Sequence, residues 1–240
     1  MSIWGSLIGG MIGFSLGGPF GMLLGSLLGG KISRARTGAR FSTAAQGQKI
    51  FALSLIVLSA KLSKADGQVS REELIAVKDK LKIPENELDQ VGKIFNKAKE
   101  ESTGYEPYAQ QIAQFYKGNI NVLEEVINIL FYIAESDGEV SVAELNMIEN
   151  IAKIFGLSER QFLGIKESRK GSDKLNPYIV LESKPDDDIA TIRRRYLSLS
   201  KQHHPDLLLS KGVPQEVIEE SKNKMRAINS AWDLVQKLKT

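Results

Sequence analysis

The sequence predicts an all-α fold, and three observations carry that prediction. No segment sustains the alternating apolar and polar period of a half-buried strand, while the long apolar runs from Ile50 to Leu62 and from Val122 to Ile133 have the length of buried helices. In the C-terminal quarter, apolar side chains recur at steps of three and four. Between them Pro84, Gly104, Pro107 and Gly118 punctuate polar stretches as helix ends and turns do. A length of 240 residues with 42% apolar and 25% charged side chains fits one or two globular domains and excludes a disordered chain.

The first element covers residues 1–30, a stretch without a charged side chain. Gly5, Gly9, Gly13, Gly17, Gly21, Gly25 and Gly29 repeat every four residues, and Leu, Ile, Met, Phe and Trp fill much of the space between. In water each interior glycine costs a helix about 1 kcal/mol relative to alanine, so water is a poor solvent for this helix. In lipid the backbone must close its own hydrogen bonds, and a stripe of glycines lets two helices approach closely. About 28 residues at a rise of 1.5 Å reach roughly 40 Å, enough for a core near 30 Å with tilt or a kink at Pro19. The expectation is a transmembrane helix in contact with membrane lipid, paired as a homodimer through the glycine face. A secretory signal peptide is the rival, although its charged leading region is missing and the apolar stretch is too long. A flexible glycine-rich soluble tail is the plainer alternative.

A basic juxtamembrane linker follows at residues 31–47. Lys31, Arg34, Arg36, Arg40, Lys49, Lys61 and Lys64 all precede the first acidic residue, Asp66, a bias that places the remainder of the chain on the cytoplasmic side. The same cations can touch anionic headgroups.

Residues 48–170 form a helical domain with an internal echo. Ala65-Asp66-Gly67-Gln68-Val69-Ser70-Arg71-Glu72-Glu73-Leu74 returns 71 residues later as Ser136-Asp137-Gly138-Glu139-Val140-Ser141-Val142-Ala143-Glu144-Leu145. Most of the shared pattern is helix punctuation: Gly67 and Gly138 end one helix, and Ser70 with Glu73, like Ser141 with Glu144, open the next through a capping box. Capping does not demand the aspartates. A divalent cation held by Asp66, Glu73, Asp137 and Glu144 is therefore the alternative, should the repeats pack about a twofold axis. Neither loop has the ligand spacing of an EF-hand.

The last domain spans residues 174–240. Ile189, Ile192, Tyr196 and Leu199 line one helical face, and Arg193, Arg194 and Lys201 lie off it. Val217, Ser221, Met225, Ile228, Trp232 and Val235 repeat at four and three residues after Pro214, which suits a first helical position. Two antiparallel helices follow, with His204, Pro205 and Asp206 projecting from the connection. A metal site on His203 and His204, the only histidines, would have to draw on carboxylates, because the chain has no cysteine.

The stretch from about Asn176 to Thr240 resembles a J-domain, the module by which DnaJ-type co-chaperones engage DnaK-type ATPases. Tyr178, Val180 and Leu181 match its short first helix, Ile192, Tyr196 and Leu199 its second, and Met225, Ile228, Ala231 and Trp232 its third. The resemblance implies that His204, Pro205 and Asp206 stimulate ATP hydrolysis by the partner and that Arg193, Arg194 and Lys201 dock it. Arg195 stands where a small residue is usual and Leu197 where an arginine is usual. The middle domain resembles the TerB-like family, whose acidic turns are associated with tellurite resistance and metal binding. The order of glycine-rich span, TerB-like domain and J-domain resembles the membrane-anchored DnaJ-like co-chaperones of Gram-negative bacteria. It implies a single-pass inner-membrane protein with its C-terminal domains in the cytoplasm, a DnaK-type partner and a role in the stress response.

Other classes are weaker. A net charge of +3 without basic runs interleaved with aromatics gives no basis for nucleic-acid binding. Zero cysteines exclude disulfides, thiolate catalysis and Cys-based zinc modules. No phosphate-cradling loop or nucleophile, base and orienting group occur together, so no enzyme and no cofactor is expected. The alternative function is a membrane-tethered interaction or metal-sensing module whose J-like hairpin docks a partner without activating an ATPase.

Overall fold

The computed structural model describes residues 18–27, 44–64, 71–80, 82–136, 138–170, 174–213, 215 and 218–239. Among these there is no strand. The helices are α1 (Gly18–Leu27), α2 (Ala44–Leu62), α3 (Arg71–Lys80), α4 (Leu88–Glu100), α5 (Glu106–Phe115), α6 (Ile120–Ala134), α7 (Val142–Ile154), α8 (Glu159–Ser168), α9 (Pro177–Val180), α10 (Ile189–Gln202), α11 (Pro205–Ser210) and α12 (Ile218–Leu238).

The two apolar runs become the middle of the molecule. Every residue from Ile50 to Ser63 is buried, and α6 is buried on all sides from Asn121 to Phe131. A helix apolar all round can be stable only when enclosed, and α4, α5, α6 and α7 enclose α2. Lys61, carried into this core by α2, donates to the carbonyls of Glu101 and Thr103 at 3.0 and 2.6 Å. Burial lowers its pKa from the ordinary lysine value.

Helix α1 occupies part of the stretch expected to span a membrane. Its ten residues cover about 15 Å, and no described helix is long and apolar enough to cross a bilayer. Phe20 and Leu23 are buried in the main core. Phe20 meets Tyr108 edge to face at 5.0 Å, and its N–H donates to Gln111 Oε1 at 3.2 Å. The middle domain offers these side chains an apolar surface, which competes with lipid for the same residues. Gly5, Gly9, Gly13, Gly17 and Gly29 lie outside the described residues; Gly21 and Gly25 lie within α1.

The acidic turn before α7 is built as a cap. Ser141 Oγ accepts from the N–H of Glu144 at 3.2 Å, and the Glu144 carboxylate accepts from the N–H of Ser141 at 2.9 Å. Gly138 has φ +139°, a value that favours glycine. Its counterpart from Asp66 to Ser70, with Asp137 and the side chain of Glu73, lies outside the described residues. A second capping box, Ser158 with Gln161, opens α8.

The C-terminal hairpin has a core of its own, where Val180, Leu181, Ile192 and Leu199 pack on Ile228, Ala231 and Val235. Tyr196 stacks on Trp232 at 5.2 Å. Ile189, expected on the inner face, is exposed instead; it borders an open groove with Trp232 and Gln236. Arg195 is exposed and does not disturb the packing. The long helix begins at Ile218, four residues after Pro214.

Candidate functional site

The turn between α10 and α11 is set by local chemistry. Asp188 caps the start of α10, accepting from the N–H of Thr191 at 2.8 Å and from its hydroxyl at 2.6 Å. At the far end His203 closes the helix, and Pro205 forbids its continuation while supplying a first residue for α11. His204 becomes the cap of α11, its Nδ1 accepting from the N–H of Asp206 at 3.2 Å. The sequence expectation of a plain loop is thus refined to a sharp corner between two helices. The side chains of His204 and Asp206 are 55% and 87% exposed, so both are available to a partner.

The cations of α10 share a side of that corner. At 100° per residue Arg193, Leu197, Lys201 and Arg194 fall within an arc of about 100°, and all four are exposed. Arg194 donates to Thr191 Oγ1 at 2.8 Å. Leu197, 53% exposed, adds an apolar patch to this basic stripe.

Directly beside the exposed tripeptide lies a buried polar cluster that sequence reading did not identify. Glu124 of α6, His203 at the end of α10 and Lys224 of α12 are 2%, 1% and 7% exposed. Glu124 Oε2 lies 3.0 Å from His203 Nε2 and accepts from Lys224 Nζ at 3.3 Å, while Glu124 Oε1 accepts from Gln161 Nε2 at 2.7 Å. Burial pushes the Glu124 carboxyl up, but Lys224 and His203 outweigh it and hold the pKa at about 2. His203 is driven the other way: burial and the neighbouring Lys224 lower its pKa, which favours the neutral ring. Glu182, nearby on the far side, is raised by burial and by the charge of Glu124.

At the described end of the acidic repeat the structure shows the capping role. Glu144 is buried and committed to its cap, and no group of three metal-ligating side chains occurs among the described residues. Asp66, Asp137 and the side chain of Glu73 lie outside them.

Two family models match the chain without overlapping: the tellurite resistance protein TerB over residues 52–167 and the co-chaperone DjlA transmembrane domain over residues 1–39. The co-chaperone protein DjlA of Vibrio parahaemolyticus is 27% identical over 227 residues, covering 81% of this chain and 80% of its own. Those of Vibrio vulnificus and Escherichia coli K12 are 28% and 26% identical, over 81% and 86% of this chain and 80% and 86% of theirs. Along most of its length the chain is similar to the DjlA co-chaperones. The DjlA transmembrane model covers the glycine-rich segment, and the TerB model starts inside α2 and ends in α8, so the buried core of the middle domain is a TerB domain. No solved structure matches the chain.

Proposed function

We propose that this protein is a membrane-anchored co-chaperone whose hairpin acts as a J-domain. It docks a DnaK-type chaperone on Arg193, Arg194 and Lys201 and stimulates ATP hydrolysis through His204, Pro205 and Asp206. The observation that carries this reading is the exposed His-Pro-Asp corner beside a basic helix, in a chain similar over four fifths of its length to curated DjlA co-chaperones. The chain itself is not an enzyme and needs no cofactor; the ATP chemistry is the partner's. The glycine-rich segment anchors it in the bacterial inner membrane, with both folded domains on the cytoplasmic side, where the basic linker favours their retention.

The test is single-turnover ATP hydrolysis by a DnaK-type chaperone in the presence of the full-length protein in lipid nanodiscs. Stimulation by the wild type should be lost in His204→Gln and in Asp206→Asn with little change in thermal stability, since both side chains are solvent-facing. Binding without stimulation by the wild type would favour a docking module that does not activate its partner.

A further inference from the structure

The His-Pro-Asp corner is gripped from both sides by the TerB domain. On its leading side, Asn121 Nδ2 donates to the carbonyl of Gln202 at 3.1 Å, and Glu124 Oε2 lies 3.0 Å from Nε2 of His203, the residue immediately before the tripeptide. On its trailing side, Leu208, Val213 and Ile218 are buried in the main core with the TerB helices rather than in the core of the hairpin. The tripeptide, with His204 and Asp206 exposed and Pro205 half-buried, therefore bridges two anchor points that belong to another domain. The same Glu124 carboxylate also receives Lys224 from α12, so both long helices of the hairpin meet one carboxylate of α6.

This arrangement does not cover the surface that a partner would use. His204, Asp206, Arg193, Arg194 and Lys201 all stay exposed while the seam is closed. The contact is thus suited to presenting the corner and not to blocking it. Within the corner the N–H groups of Asp206, Leu207 and Leu208 all return to His204. A turn that hinges on one residue takes its orientation from what fixes its two ends.

We infer that Glu124 of the TerB domain is a positioning residue for the His-Pro-Asp corner, holding it through His203 and Lys224 in the geometry that activates the partner. The inference rests on the co-chaperone reading for its activity arm but has a structural arm that does not. Docking on the basic stripe depends on α10 alone and is retained without the grip; activation requires it.

The experiment compares the wild type with the double variant Glu124→Gln, Lys224→Met, full length in lipid nanodiscs. Removing both charges together avoids leaving one buried and unpaired, which is the usual reason such variants unfold. Leu208→Ala loosens the trailing anchor by an independent route. In a titration against the DnaK-type chaperone, both variants should lower maximal stimulation at least fivefold and leave the half-saturating concentration within about twofold. Arg193→Glu should instead raise the half-saturating concentration. Amide hydrogen exchange at Asp206 and Leu207 should quicken at least tenfold in both variants, with Ile228 and Ala231 in the hairpin core unchanged. Unchanged exchange at the corner, unchanged maximal stimulation beside an active wild type, or stimulation that rises in the variants would each overturn the positioning role. A wild type that fails to stimulate at all would refute the co-chaperone reading and leave the exchange result to decide the grip.

Discussion

His203 and His204 are neighbours in the chain and opposites in the fold, one fully enclosed and the other reaching into solvent. The enclosed ring makes the molecule sensitive to mild acid. Its folded-state pKa lies below the ordinary value of 6.5 because burial and Lys224 disfavour the cation. The unfolded chain then binds the proton more readily, so the contribution of His203 to stability is intact above pH 6.5 and is lost as pH falls through the folded value. Glu124, with its pKa at about 2, loses its contribution only below the ordinary 4.5. Thermal melts of the full-length protein in detergent should show a falling midpoint between pH 7 and pH 5, and His203→Gln should flatten that slope. A signal for the buried histidine existed in the sequence, since Ile192, Tyr196, Leu199 and His203 continue the same four-and-three spacing. The identity of its partners did not: Glu124 and Lys224 are 100 residues apart, and only the packing of α6 against α12 brings them together.

Among the elements, those with one stable environment were the most legible. The run in α2 has no sustained polar face to turn outward, so burial was the outcome open to it, whereas α6 has a polar face whose Asn121, Glu124 and Asn128 meet Gln202, His203 and Arg169. The box before α7 was readable because Ser and Glu three apart satisfy orphan amides whatever the tertiary context. Its replacement by Ser141→Ala should cost about 1 kcal/mol in chemical denaturation. Adding Ca²⁺ or Mg²⁺ should leave the melting midpoint unmoved, because Glu144 is occupied by its own helix. Less legible was α1. Its apolar side chains satisfy a lipid environment and a protein surface equally well, and hydropathy alone does not choose between them. The corner helix α11 was missed for a different reason: six residues carry too little periodicity to separate a short helix from a loop.

At the scale of the whole molecule, the chain combines three sequence-readable units in a fixed order, and the seam between the last two is where sequence reading stopped. The first unit yields its own expectation. If the glycine stripe packs two copies together, the variant Gly13→Leu, Gly17→Leu, Gly21→Leu should remain in the carbonate-resistant membrane fraction while energy transfer between labelled copies in bilayers falls to background. Association that persists would exclude the glycine face as the contact. The seam itself bears on how such a protein can be rebuilt by recombination. The C-terminal hairpin shares a carboxylate with its neighbour. A foreign hairpin lacking the histidine and lysine would leave Glu124 enclosed without a counter-charge, at a cost of about 3–5 kcal/mol. Exchange of either half alone would therefore need a compensating change at Glu124, whereas exchange of both together would not.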